Sequence, residues 1–172
     1  MTAVLLTGCG KKPISFEEAL AMEPDKLDRA VVGMRLSDLE DVWGEFEGEN
    51  INGLAFSMGD EAIIVYNDPK EVVDGIRRCS WCEGRFVSGR SGDNIVLIER
   101  SGYTEPAVVS TAEFVDFEGI ENGDRVKILV DGIDETYPCQ TVAYGVRLIE
   151  KGSYDDLDED AMESLREMGW VD

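Results

Sequence analysis

Histidine is absent from this chain of 172 residues, and with it the commonest general base near neutral pH and the commonest metal ligand. Basic residues are scarce as well: 16 Lys and Arg stand against 37 Asp and Glu, a formal charge of −21. Such a surface repels a nucleic-acid backbone and offers no basic amphipathic helix to lie on a membrane, so no nucleic-acid partner is expected. Cysteine is sparse. Cys9, Cys79, Cys82 and Cys139 match no disulfide-dense scaffold and are too few for a zinc ribbon, so each is read by itself. What is present is a hydrophobic fraction of 43%, ample for packed cores in one ordinary domain or two small ones, under a solvated acidic surface.

The clearest pattern lies in residues 119–150. Val126, Ile128 and Val130 alternate with polar partners, Asp131-Gly132 punctuates, and after Pro138 the alternation resumes at Val142, Tyr144, Val146 and Leu148. Upstream, residues 85–88 and 95–99 read as strands around a turn-rich loop, and an extended stretch follows from Val108 through Phe114. Short antiparallel strands with glycine turns and no long helix predict an OB-like five-stranded β-barrel over residues 85–151, because closure removes exposed edges. Residues 152–172 form an acidic segment and a C-terminal helix. Leu157, Leu165, Met168 and Trp170 are expected to dock onto the barrel or cap one end. Asp156, Asp158, Asp160 and Glu167 fall at acidic positions of an EF-hand loop, but Ala161 takes the place of its glycine, and no metal is expected.

Residues 1–12 resemble a lipoprotein signal remnant and tether. Leu6-Thr7-Gly8-Cys9 resembles a lipobox, in which the cysteine becomes the acylated N-terminus, although only Ala3 to Leu6 stand in for the apolar region of a leader. The expectation is a membrane anchor at Cys9. Residues 13–80 read as a small helix-plus-antiparallel-meander unit. Ser15 and Glu18 make a capping box, Pro24 opens a short helix, and Ser37 and Glu40 repeat the capping signature for a helix over residues 36–43, stopped at Gly44. Residues 54–58, 62–66 and 72–76 are the three strands, covered on one face by Leu36, Leu39 and Trp43. The whole chain is therefore expected to be α+β.

Two resemblances bear on function. Residues 32–48, VGMRLSDLEDVWGEFEG, followed by IIVYND at 63–68, resemble the N-terminal half of small lipoproteins of Gram-positive bacteria, similar to the SmpA/OmlA fold and the repeats of β-lactamase-inhibitor protein. Residues 123–140, GDRVKILVDGIDETYPCQ, resemble a YobA-like secreted domain of unknown function, with Cys139 where alanine is usual. These resemblances imply an extracytoplasmic binding or scaffolding module and bring no catalytic residues.

The stretch from Arg77 to Arg85 links the two units. Its Cys79-x-x-Cys82 spacing admits a thiol oxidoreductase site, a metal site, a structural disulfide or two buried thiols, but no helix is predicted after Cys79 to lower its pKa. Arg77, Arg78, Trp81 and Arg85 form a basic spot in an acidic chain, with residue types enriched at binding hot spots; packing of Trp81 against the second unit is the plainer reading. The leading expectation is a non-catalytic, membrane-anchored extracytoplasmic lipoprotein without cofactor, binding an unidentified protein or cell-envelope component. The rivals are a thiol oxidoreductase using Cys79 and Cys82 and a hydrolase using Asp131 and Asp134.

Overall fold

The computed structural model describes residues 11–50 and 53–172; the expected lipidation site, Cys9, lies outside them. Three helices come first: α1 (Phe16–Ala21), α2 (Pro24–Val31) and α3 (Leu36–Trp43). Ser15 caps α1 in a capping box with Glu18, and Pro24 sits in the first turn of α2, where its missing N–H costs nothing. The ammonium of Lys11 donates to the carbonyls of Arg29 and Val32 at the end of α2, tying the start of the described chain to the fold. The expected second capping box does not form: α3 covers the expected residues, but Arg35 and not Ser37 is its N-cap, so Ser37 lies inside the first turn.

The strands are β1 (Gly48–Asn50), β2 (Gly53–Met58), β3 (Glu61–Asn67), β4 (Val73–Ser88), β5 (Asn94–Arg100), β6 (Tyr103–Thr111), β7 (Arg125–Val130) and β8 (Cys139–Glu150). They form one continuous sheet in the order β1-β2-β3-β4-β5-β6-β8-β7, and β7 pairs back to β4. That closure makes a five-stranded barrel of β4, β5, β6, β8 and β7, with the β6–β8 pair parallel and the others antiparallel. The molecule is α+β with an OB-like barrel. The link between meander and barrel over residues 77–85 is itself a strand: β4 runs unbroken through them, pairing with β3 from Val73 to Ser80 and with β7 from Ser80 to Arg85.

The meander is buried on both faces, which explains why Ala62, Ile63, Ile64 and Val65 are all enclosed. One face, with Phe56, Ile63 and Val65, packs under Leu27, Val31, Leu36 and Leu39 of the helices. The other, with Ala55, Ala62 and Ile64, meets Leu129 and Tyr144 on the outside of the barrel. The barrel interior is filled by Phe86, Val96, Ile98, Val109, Val126, Ile128 and Ala143. Residues of the opposite parity, Val87, Ile95 and Leu97, point outward and are covered by Leu157 and by Met162 and Leu165 of α4 (Glu159–Glu167). The C-terminal helix thus docks on the barrel wall, with Trp170 packed beside it and Met168 exposed.

Gly123 and Asp124 join these parts. Gly123 adopts φ 90°, and a Cβ there would lie 1.8 Å from the carbonyl oxygen of Ser153, so only glycine lets the two backbones touch. The buried carboxylate of Asp124 accepts from the amides of Glu121 and Gly152, each at 2.9 Å, and from Nζ of Lys151 at 2.8 Å. Burial alone would raise its pKa; the ammonium and the two amides outweigh it and hold the carboxyl at about 2.

Candidate functional site

The basic residues singled out in the sequence are spread along β4, with Arg78 on the face opposite Arg77, and Arg85 farther along the strand. Arg78 donates to the carbonyls of Ala19 and Met22, closing the C-terminal end of α1. Arg85 donates to the carbonyl of Gly123 at 2.9 Å. Trp81 packs in the seam between meander and barrel with Leu129 and Tyr144, its ring so near Gly145 that a Cβ would lie 2.8 Å away. The Arg147 guanidinium covers it at 4.2 Å from the ring centroid. Trp81 is therefore packed where the plainer reading put it, and Arg85 is engaged on backbone.

Arg77 is differently placed. Its side chain, 59% exposed, pairs through the guanidinium with Asp131 at 2.9 Å, and the Tyr66 hydroxyl donates to the same carboxylate. Two depressions meet at this pair. One is a cleft of about 490 Å³ between β1 and the barrel, lined by Asn50, Arg77, Asp134, Gln140, Thr141 and Tyr144. The other is a groove of about 500 Å³ holding Arg77, Arg78, Ser80 and Arg100. Asp131, Gly132 and Ile133 belong to both walls.

The 131–138 loop that separates the depressions is pinned from within. The amide of Asp134 donates to the carbonyl of Gln140 at 2.9 Å, the Thr141 hydroxyl to the carbonyl of Gly132, and the Thr136 hydroxyl to the carbonyl of Pro138 at 3.0 Å. The loop is thus set before any ligand arrives, which limits the ordering entropy of binding. Arg100, which lines the groove, pairs with Glu105 at 3.2 Å through Nε. Asn50, Arg100, Gln140 and Thr141 escaped the sequence reading, because polar positions on a strand look alike until the sheet brings them to one mouth.

Burial pushes the phenols of Tyr66 and Tyr144 up, and the bond to Asp131 adds to the effect on Tyr66, so neither serves as a base near neutral pH. Burial likewise raises the Cys79 thiol to about 11 and raises that of Cys82, opposite to the depressed values of reactive thiolates. Both thiols are free. Three positions apart on one extended strand, they face opposite sides, Cys79 in the seam and Cys82 against the barrel core, so the possible Cys79–Cys82 disulfide is not formed. Cys139 is buried, and its thiol is also pushed up by burial to about 11.

The acidic residues of the C-terminal segment are used in turns and caps. Asp156 accepts from the amide of Ser153 at 2.8 Å, and Asp158 caps α4 by accepting from the amide of Ala161 at 2.8 Å, while Asp160 and Glu167 belong to the helix itself. Among the described residues, no group of three or more Cys, Asp or Glu is disposed to hold a metal ion. No helix among them is long and apolar enough to cross a membrane. No family model matches the chain, and no curated protein or solved structure matches it.

Proposed function

We propose that this chain is a non-catalytic, extracytoplasmic lipoprotein, anchored through Cys9, that binds an acidic saccharide of the cell envelope where its meander meets its barrel. The observation carrying this reading is the convergence of the cleft and the groove on the Arg77–Asp131 pair. Guanidinium forks of Arg77 and Arg100 suit a carboxylate or phosphate, and the amides and hydroxyls of Asn50, Gln140 and Thr141 suit neighbouring sugar hydroxyls. Against a formal charge of −21, the arginines lining this groove draw an anion only at short range. The lipobox-like start supports the address.

The test uses soluble protein beginning at Lys11 and two probes, muropeptide fragments bearing the muramic carboxylate and neutral N-acetylglucosamine oligomers. Selective retention of the acidic probe, weakened about tenfold or more in Arg77→Ala and Arg100→Ala, is expected. Equal retention of both probes, or variants binding like wild type, would discard the site. In cells, palmitate labelling of the full gene product should disappear in Cys9→Ser; labelling that persists overturns the anchor.

A further inference from the structure

Phe114 is 81% exposed and sits at φ 65°, a left-handed conformation that bulky side chains seldom adopt. Its neighbours hold it there. The amide of Ala112 donates to the carbonyl of Ala143 at 2.9 Å, the amide of Glu113 to the carbonyl of Glu49 at 2.7 Å, and the amide of Val115 to the carbonyl of Ala112 at 3.3 Å. The ring lines a depression of about 570 Å³ together with Phe46 and the acidic residues Glu40, Asp41, Glu45 and Glu47. Glu47 is taken by Arg147. Among the described residues, Glu40, Asp41 and Glu45 form no ion pair.

We infer that this notch is a docking surface for a basic, apolar segment of a partner protein, with a lysine or arginine side chain laid over the Phe114 ring. The ring's negative face attracts a cation, the three unpaired carboxylates neutralise it, and an apolar neighbour on the same segment covers Phe46. Charge decides the occupant. A second copy would bring an identical acidic rim and a formal charge of −21 against the first, so self-association is opposed. A basic segment meets the opposite field and is steered toward it. Electrostatics alone would be satisfied anywhere on so acidic a surface; the exposed ring gives the contact its place. This surface is separate from the proposed saccharide site, and the two stand or fall independently.

The experiment is an amide-resolved NMR titration of soluble protein from Lys11 with an acetylated and amidated Leu-Lys-Leu-Arg-Gly-Lys peptide, and with its counterpart carrying Glu at each basic position. Saturable shifts confined to residues 44–47 and 112–115 are expected with the basic peptide, and none with the acidic one. Phe114→Ala, an exposed truncation that leaves the charge intact, should weaken binding about tenfold, and Asp41→Asn with Glu45→Gln should do the same. Equal binding by Phe114→Ala would reduce the effect to diffuse attraction and overturn the inference. Saturable binding of the acidic peptide, or a dimer in sedimentation that Phe114→Ala abolishes, would overturn it too.

Discussion

Replacing Asp124 by Asn tests the reasoning most directly, because one carboxylate joins the approach to β7, the end of β8 and the lead into α4. Its oxygens accept three hydrogen bonds, two from backbone amides and one from Lys151, with no exposed surface of their own. Asparagine keeps one acceptor oxygen and turns an NH2 toward groups that are themselves donors. At least one bond to a charged acceptor is lost and one buried donor is left opposed, a cost of about 2 kcal/mol near neutral pH. In urea denaturation, with a slope of about 2 kcal/mol per M, the midpoint should fall by about 1 M. The exposed Arg90–Asp172 pair, 65% and 83% accessible, is the control: Arg90→Ala should move the midpoint by a few tenths of that or less. The pH dependence fixes the cause. A folded-state pKa of about 2 lies below the ordinary 3.8, so the stabilisation is complete above the ordinary value and disappears as pH falls through the folded one. The gap between wild type and Asp124→Asn should therefore close between about pH 4 and about pH 2. An unchanged midpoint near neutral pH, or a gap undiminished near pH 2, would refute the argument.

The thiols of Cys79, Cys82 and Cys139, all raised by burial, should be alkylated slowly at about pH 8, with rates still climbing at higher pH. A reactivity plateau near neutral pH, or a Cys79–Cys82 bridge formed by mild oxidation, would restore the oxidoreductase reading. Leu165→Ala removes a fully buried side chain between α4 and the outward face of β5, and should cost about 3 kcal/mol in urea denaturation. A cost below about 1 kcal/mol would mean that the helix is only loosely applied.

Much of the secondary structure was legible because local chemistry and tertiary packing agree. The helix over residues 36–43 and the alternation of Val126, Ile128 and Val130 appear as read, and the parity of that alternation places Leu129 outside the barrel. The interval from Arg77 to Arg85 was opaque for a physical reason. One edge of the strand passes from meander to barrel there, so side chains such as Arg78, Ser80 and Glu83 interrupt the apolar period although the hydrogen-bond ladder is unbroken. Asp124 went unremarked in the sequence, since its partners Lys151 and Gly152 lie far along the chain and leave no local signature. Phe114 read as the end of a strand, and nothing in its neighbours announced that its ring would face solvent. Polar residues from four strands and a loop form the candidate site, a proximity that only the closed topology creates.

If Cys9 carries the proposed anchor, the ammonium of Lys11, clasped by the carbonyls of Arg29 and Val32, would limit how this protein stands at a bilayer. Only Gly10 separates Lys11 from Cys9. Two residue steps of extended chain span roughly 7 Å, less than the diameter of one helix. A diacylglyceryl group on Cys9 would accordingly bring the end of α2 down to the headgroups, with no stalk beneath it. The protein would reach only what lies close to the membrane surface, and its height above the lipid would be set by the fold itself.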